Sequence, residues 1–123
     1  MKRKILIVDD EVTTVQLIEF ILEKNEFTAC CAYSGLKAIQ TAQQEKPDLI
    51  LLDIMMPGLD GLEVCEKLKN DDQTKGIPII FLTAMGQESD VARGIKLGAE
   101  SYIVKPFNPE SLLLQIEKIL DKN

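Results

Sequence analysis

The sequence predicts an α/β domain built on one open parallel sheet, and three features of the chain lead there. Five short apolar runs alternate with five segments that carry apolar residues at helical spacing. The connections between them are short, as β-α units require. Runs such as Leu49-Ile50-Leu51-Leu52 are unbroken rather than alternating, which fits strands covered on both faces. Right-handed crossovers then distribute the helices over both sides of the sheet.

Residues 4–8 read as the first strand. Val15, Ile18, Ile21 and Leu22 predict a helix over residues 12–24. Residues 27–33 read as a second strand. Ser34 then caps a helix that turns Leu36, Ile39 and Ala42 inward. Pro47-Asp48 makes a turn into the third strand, residues 49–53. A loop through Met55, Met56, Pro57 and Gly58 leads to Asp60 and Glu63. That Asp-x-x-Glu pattern opens a helix burying Leu62, Cys65 and Leu68. The fourth strand is expected over 77–83, with Pro78 at its beginning, where a missing donor is tolerable. Residues 88–97 suit a helix ended by Gly98, and residues 101–104 a fifth strand. Asn108 caps the last helix and Pro109 opens it, with Leu112, Leu113, Ile116, Ile119 and Leu120 on its core face. No repeat, low-complexity tract or linker interrupts the pattern, so residues 1–123 read as a single domain.

Bulk properties narrow the function. A chain of 123 residues holds one sizeable core, and 46% apolar with 28% charged residues is a globular balance. A net charge of −6 and a pI of about 4.7 argue against nucleic-acid binding as its main task. No apolar stretch approaches the roughly 20 residues of a membrane helix, and the basic start runs straight into a strand rather than a signal region. Cys30, Cys31 and Cys65 are an odd number with an adjacent pair, unlike a disulfide framework and in keeping with a reducing cytoplasm. Histidine is absent, so a triad, an imidazole base or a histidine metal ligand must come from elsewhere.

The chemistry sits where the apolar runs end. Asp9 and Asp10 follow the first, Asp53 closes the third, Thr83 the fourth, and Lys105 follows the fifth. Polar groups at the ends of buried strands are costly for packing alone. In open α/β sheets the binding crevice lies outside the carboxyl ends of the strands. Two carboxylates ~4 Å apart repel by about 4 kcal/mol at an effective dielectric of about 20. Asp53 adds a third charge, and a bound cation relieves the repulsion. Mg²⁺ fits, as a hard ion that takes carboxylates, water and phosphate oxygens. Asp53 can serve as a nucleophile that forms an acyl phosphate. Lys105 can neutralise phosphoryl oxygens and Thr83 can donate a hydrogen bond to one. Taken singly, these residues have plainer readings: helix capping for the acidic pair, strand propensity for Thr83 and a solvated charge for Lys105.

The segments ILIVDDE (5–11), DLILLDIMMPGLDG (48–61) and PIIFLTA (78–84) resemble the receiver domain of two-component response regulators. So does the set Gly98, Ala99, Tyr102, Lys105, Pro106 and Phe107. The resemblance covers residues 3–121 and includes the chemotaxis response regulator. It implies a doubly wound (βα)5 sandwich of flavodoxin-like type, with strand order 2-1-3-4-5. It implies Asp53 as phosphoacceptor, and Mg²⁺ on Asp10, Asp53 and the backbone carbonyl of Met55, with Asp9 acting through water. Thr83 becomes the switch hydroxyl, Tyr102 its aromatic partner, and Lys105 the phosphoryl contact before a cis bond to Pro106. The missing histidine would be supplied by a histidine kinase or phosphotransfer protein. The output would be a target protein or a C-terminal output domain, met through the surface of the fourth helix, fifth strand and fifth helix. Glu88, Asp90, Arg93 and Lys96 lie on that surface. The implied protein works as a monomer or a phosphorylation-dependent dimer, and is no ordinary enzyme, since it catalyses only its own phosphorylation and dephosphorylation.

Two departures stand out. Met55 and Met85, two residues after Asp53 and Thr83, place apolar chains where the family often has polar ones, which implies slow self-dephosphorylation. Gln115 lies near the place where receivers that pair through their last helix and drive a winged-helix domain usually carry an arginine. Three other readings remain at this point. A flavodoxin-like cofactor binder would want a Ser/Thr/Gly-rich phosphate loop where Asp9-Asp10-Glu11 stands. A haloacid-dehalogenase-type phosphatase would want an acid at Met55. A receiver acting only as a scaffold would not need the intact set of five. The end of the sequence, Asp121-Lys122-Asn123, fits a stand-alone regulator and a receiver cut from a longer protein equally.

Overall fold

The computed structural model describes residues 2–121. Met1, Lys122 and Asn123, the ends of the expected domain, lie outside the described residues. Strand and helix alternate without exception: β1 Arg3–Val8, α1 Val12–Lys24, β2 Phe27–Ala32, α2 Gly35–Glu45, β3 Leu49–Asp53, α3 Gly61–Lys69, β4 Ile79–Thr83, α4 Glu88–Lys96, β5 Ser101–Val104 and α5 Pro109–Leu120. The strands form one parallel sheet in the order β2-β1-β3-β4-β5.

Period-2 alternation sends successive strand residues to opposite layers. Ile5, Ile7, Leu49, Leu51, Ile80, Leu82 and Ile103 pack with α1 and α5. Leu6, Val8, Ile50, Leu52, Ile79 and Phe81 pack with α2, α3 and α4. Both faces of β1, β3 and β4 are therefore covered, which is why their sequences are unbroken apolar runs.

The caps hold as expected. Ser34 Oγ accepts from Lys37 N, and Asn108 Oδ1 accepts from Ser111 N with Pro109 opening α5. Asp60 and Glu63 make a full capping box.

The reading shifts in several places, the first being β1, which begins at Arg3 rather than residue 4. β2 stops at Ala32 rather than Tyr33. β4 begins at Ile79 rather than residue 77: Ile77 N donates to Thr74 O in a turn, and the ladder starts where Pro78 O accepts from Ile50 N. α4 ends at Lys96, with Leu97 as its cap and Gly98 beyond it at φ 116°. Leu36 is 65% exposed, not inward, and Ala38 takes its place in the core. The cause is Gly35, where a Cβ would strike the Leu59 carbonyl oxygen and Val64. That close approach centres the buried face of α2 on Gly35, Ala38 and Ala42, and rotates Leu36 to solvent. Leu113 is only partly buried on α5.

The thiols are free. Burial is the main cause that pushes Cys31 and Cys65 up to about 11, so neither is a ready nucleophile. No helix among the described residues is long and apolar enough to cross a membrane.

Candidate functional site

Register explains why the acidic residues meet. Val8 is opposite Leu52 and Leu52 opposite Phe81, so Asp9 and Asp53 leave neighbouring strands at the same level of the rim. Asp53 shares the strand face of Leu49 and Leu51, Asp9 that of Ile5 and Ile7, and Lys105 that of Ile103. All three lie on the α1/α5 side of the sheet. The pleat thus aims them at one another, and Lys105 Nζ reaches Asp9 Oδ2 at 2.9 Å and Asp53 Oδ1 at 3.5 Å.

Asp9 is fully buried, Asp53 nearly so, and Asp10 exposed. Asp9 Oδ1 also accepts from Glu11 N at 3.0 Å. One carboxylate oxygen from each of Asp9, Asp10 and Asp53 lies within 4.8 Å of the others, a spacing that could hold one metal ion.

The electrostatics of Asp53 are unbalanced. Its pKa is pushed up to about 7 from the usual 3.8, first by burial and then by the charge of Asp9. Lys105 and the Met55 backbone N–H oppose that rise. Lys105 is itself raised. Burial works against its charge, but the hydrogen bond to Asp9 and the charges of Asp53 and Asp9 outweigh it. One ammonium paired with Asp9 and Asp53, in a cluster of three carboxyl groups that includes Asp10, leaves a net negative site, which favours a divalent cation.

Glycine supports Asp53 from below. Gly61 N donates to Ile54 O at 2.8 Å, and a Cβ at Gly61 would strike the Asp53 carbonyl. The loop between β3 and α3 can fold this tightly beneath the carboxylate only with glycine there. The cis bond at Lys105–Pro106 lies directly after β5.

Thr83 is buried but belongs to the other layer. It shares the strand face of Ile79 and Phe81, on the α4 side. Its hydroxyl donates to Gln87 Oε1 at 2.9 Å, with the Ala84 carbonyl at 3.2 Å. Ala84 N donates to the same Gln87 oxygen at 2.6 Å. Gln87 is absent from the residues singled out by sequence; its bond crosses an irregular loop and leaves no periodic signal. Beside Thr83 opens a cavity of about 510 Å³ lined by Met85, Gln87, Val91, Tyr102 and Val104 among others. Tyr102 is 48% exposed at its mouth. Met55 and Met85 are 63% and 82% exposed, so both project from the loops flanking the rim. Gln115 accepts from Ser101 Oγ at 3.4 Å, and Arg93 lies 3.8 Å from Asp90 on α4.

The response regulator receiver domain family matches residues 5–117. The chain belongs to that family. Along its full length it is 42% identical to the alkaline phosphatase synthesis transcriptional regulatory protein PhoP of Bacillus subtilis. It spans half the length of that relative. Among solved structures, it resembles the chemotaxis protein CheY4 of Vibrio cholerae, with a TM-score of 0.91 and 31% identity. That match covers 96% of this chain and 98% of the other. The receiver domain of NtrX from Brucella abortus gives a TM-score of 0.90 at 30% identity, covering 97% and 99%. This receiver therefore has the flavodoxin-like (βα)5 architecture and the signalling role of its family. The cofactor-binding and phosphatase readings are not favoured.

Proposed function

We propose that this receiver accepts a phosphoryl group on Asp53 from a histidine kinase or histidine phosphotransfer protein, and that residues 1–123 act as one switching domain. The observation that carries the reading is the convergence of three carboxyl groups, Asp53 among them, and one ammonium at the sheet rim. Asp9, Asp10, Asp53 and the backbone carbonyl of Met55 would hold Mg²⁺, with Asp9 acting through water. When bound, the ion supplies positive charge that screens the carboxylates from an anionic donor and from one another.

An oxygen of ionised Asp53 forms the new O–P bond as the donor's P–N bond breaks. The departing electron pair stays on the donor imidazole, which takes up a proton. Lys105 shifts from its pairing with Asp53 towards the phosphoryl oxygens, and Thr83 donates its hydroxyl to one of them. The space that Thr83 vacates lets Tyr102 turn into the neighbouring cavity, which changes the α4–β5–α5 surface presented to a target or an output domain. Hydrolysis of the acyl phosphate by water returns the resting state. The chemistry is confined to the chain itself and belongs in the cytoplasm, where such donors occur. The relative PhoP is named a transcriptional regulatory protein, which supports an output of that type in a longer protein. A monomer that pairs on phosphorylation fits this use.

Incubation with Mg²⁺ and acetyl phosphate tests the reading. One phosphoryl group should be added per chain, and Asp53→Asn should abolish it. Labelling of the variant at equal yield overturns the assignment.

A further inference from the structure

We propose that Gln87 is a positioning residue that holds the Thr83 hydroxyl in its resting place and so sets how readily the domain switches. The inference rests on the reading that Asp53 is the phosphoryl acceptor.

Three observations carry it. Asp9, Asp53 and Lys105 share one strand face, whereas Thr83 lies on the opposite one, so its hydroxyl must move to reach a group on Asp53. What it would leave is a bond to Gln87 Oε1. The Ala84 backbone N–H can only donate, and this fixes the amide with its oxygen inward. The hydroxyl proton then faces an acceptor held in place by a second donor. Finally, Gln87 stands at the N-cap of α4 yet makes no side-chain cap bond to that helix. Its amide turns back across the loop to β4, so a side chain placed where caps usually form is given over to Thr83 and Ala84.

A contact made in only one of two states biases the equilibrium by its full net strength. The bond from Thr83 to Gln87 belongs to the resting state and must break before Thr83 turns. Removing the acceptor should tighten the response of the domain by about three- to tenfold, the factor expected for a net hydrogen bond in a part-buried loop. Gln87→Leu removes the acceptor at similar size, whereas Gln87→Glu keeps an oxygen that can take both bonds.

The test is a titration of the whole domain with beryllofluoride in excess Mg²⁺, followed by amide NMR at Ala84. The parent should bind, and Asp53→Asn should not. Gln87→Leu should bind about three- to tenfold more tightly than the parent, with its free-state Ala84 amide already displaced towards the bound position. Gln87→Glu should keep the parent's Ala84 resonance. In a Thr83→Ala background the gain from Gln87→Leu should vanish, because the residue acts through that hydroxyl. A parent that binds through Asp53 while Gln87→Leu leaves affinity unchanged overturns the positioning role alone, as does an equal gain without the Thr83 hydroxyl. A parent that does not bind overturns the phosphoacceptor reading and this inference with it.

Discussion

Asp53 has a carboxyl group that the resting fold prefers to keep protonated. Burial first and Asp9 second raise its pKa to about 7, whereas in an unfolded chain it ionises near the usual value of 3.8. Between those two values the folded protein binds a proton that the unfolded chain lacks. The resulting stabilisation is fully present below about pH 4 and is lost as pH rises through about 7. Above that, ionised Asp53 costs the fold on the order of 2–4 kcal/mol. Without divalent cations, Asp53→Asn should therefore unfold at higher urea than the parent at pH 8, and the gap should shrink as pH falls towards 5. Equal midpoints at pH 8 contradict this balance of charges. Adding Mg²⁺ should narrow the gap by stabilising the parent. Met55 and Met85 bear on a different step. Their apolar, exposed chains flank the rim and offer no polar atom to orient an attacking water. Met55→Asn should shorten the lifetime of the phosphorylated domain several-fold, short of the roughly 10²-fold or more that full general acid–base catalysis contributes. An equal or longer lifetime in the variant rules out this role for Met55. The acids and Lys105 were legible in the sequence because charge is expensive at the end of an apolar strand. Gln87 was not, because a glutamine in a loop has many unremarkable uses.

At the level of elements, local rules decided most boundaries and tertiary packing decided the rest. β3 and β5 fall where their apolar runs begin and end, and the Asp60–Glu63 box starts α3 at the residue its sequence indicates. An amphipathic count favours the bulky Leu36 for the core, yet it is exposed. The face of α2 is set instead by how closely Gly35 approaches α3 and its preceding loop. The start of β4 slipped because Pro78 offers only its carbonyl to the ladder. The C-terminus of α2 keeps one local conflict. Lys46 caps it in a left-handed conformation at φ 47°, a place that glycine fills without steric cost. Lys46→Gly should stabilise the domain by about 0.5–1 kcal/mol, the strain relieved less the added freedom of the unfolded chain. Chemical denaturation measures it; a loss of stability shows that Lys46 contributes more through its contacts than its conformation costs.

In the whole molecule, the sheet divides the work. Its α1/α5 layer carries Asp9, Asp53 and Lys105, and its α4 layer carries Thr83, Gln87 and the cavity beside Tyr102. The fold, and the meeting of the acids with Lys105 at the rim, were readable from one chain because both follow from strand periodicity. The identity of the partner was not, since an exposed helix face with Glu88, Asp90, Arg93 and Lys96 carries no fixed geometry for one. The central claim, that Asp53 takes the phosphoryl group with the help of a divalent cation, is tested most directly by mapping the label. After incubation with acetyl phosphate, trapping and peptide mass analysis should locate a single phosphoryl group on Asp53, and chelation of Mg²⁺ should prevent it. A label on another residue, or one indifferent to chelation, contradicts the claim.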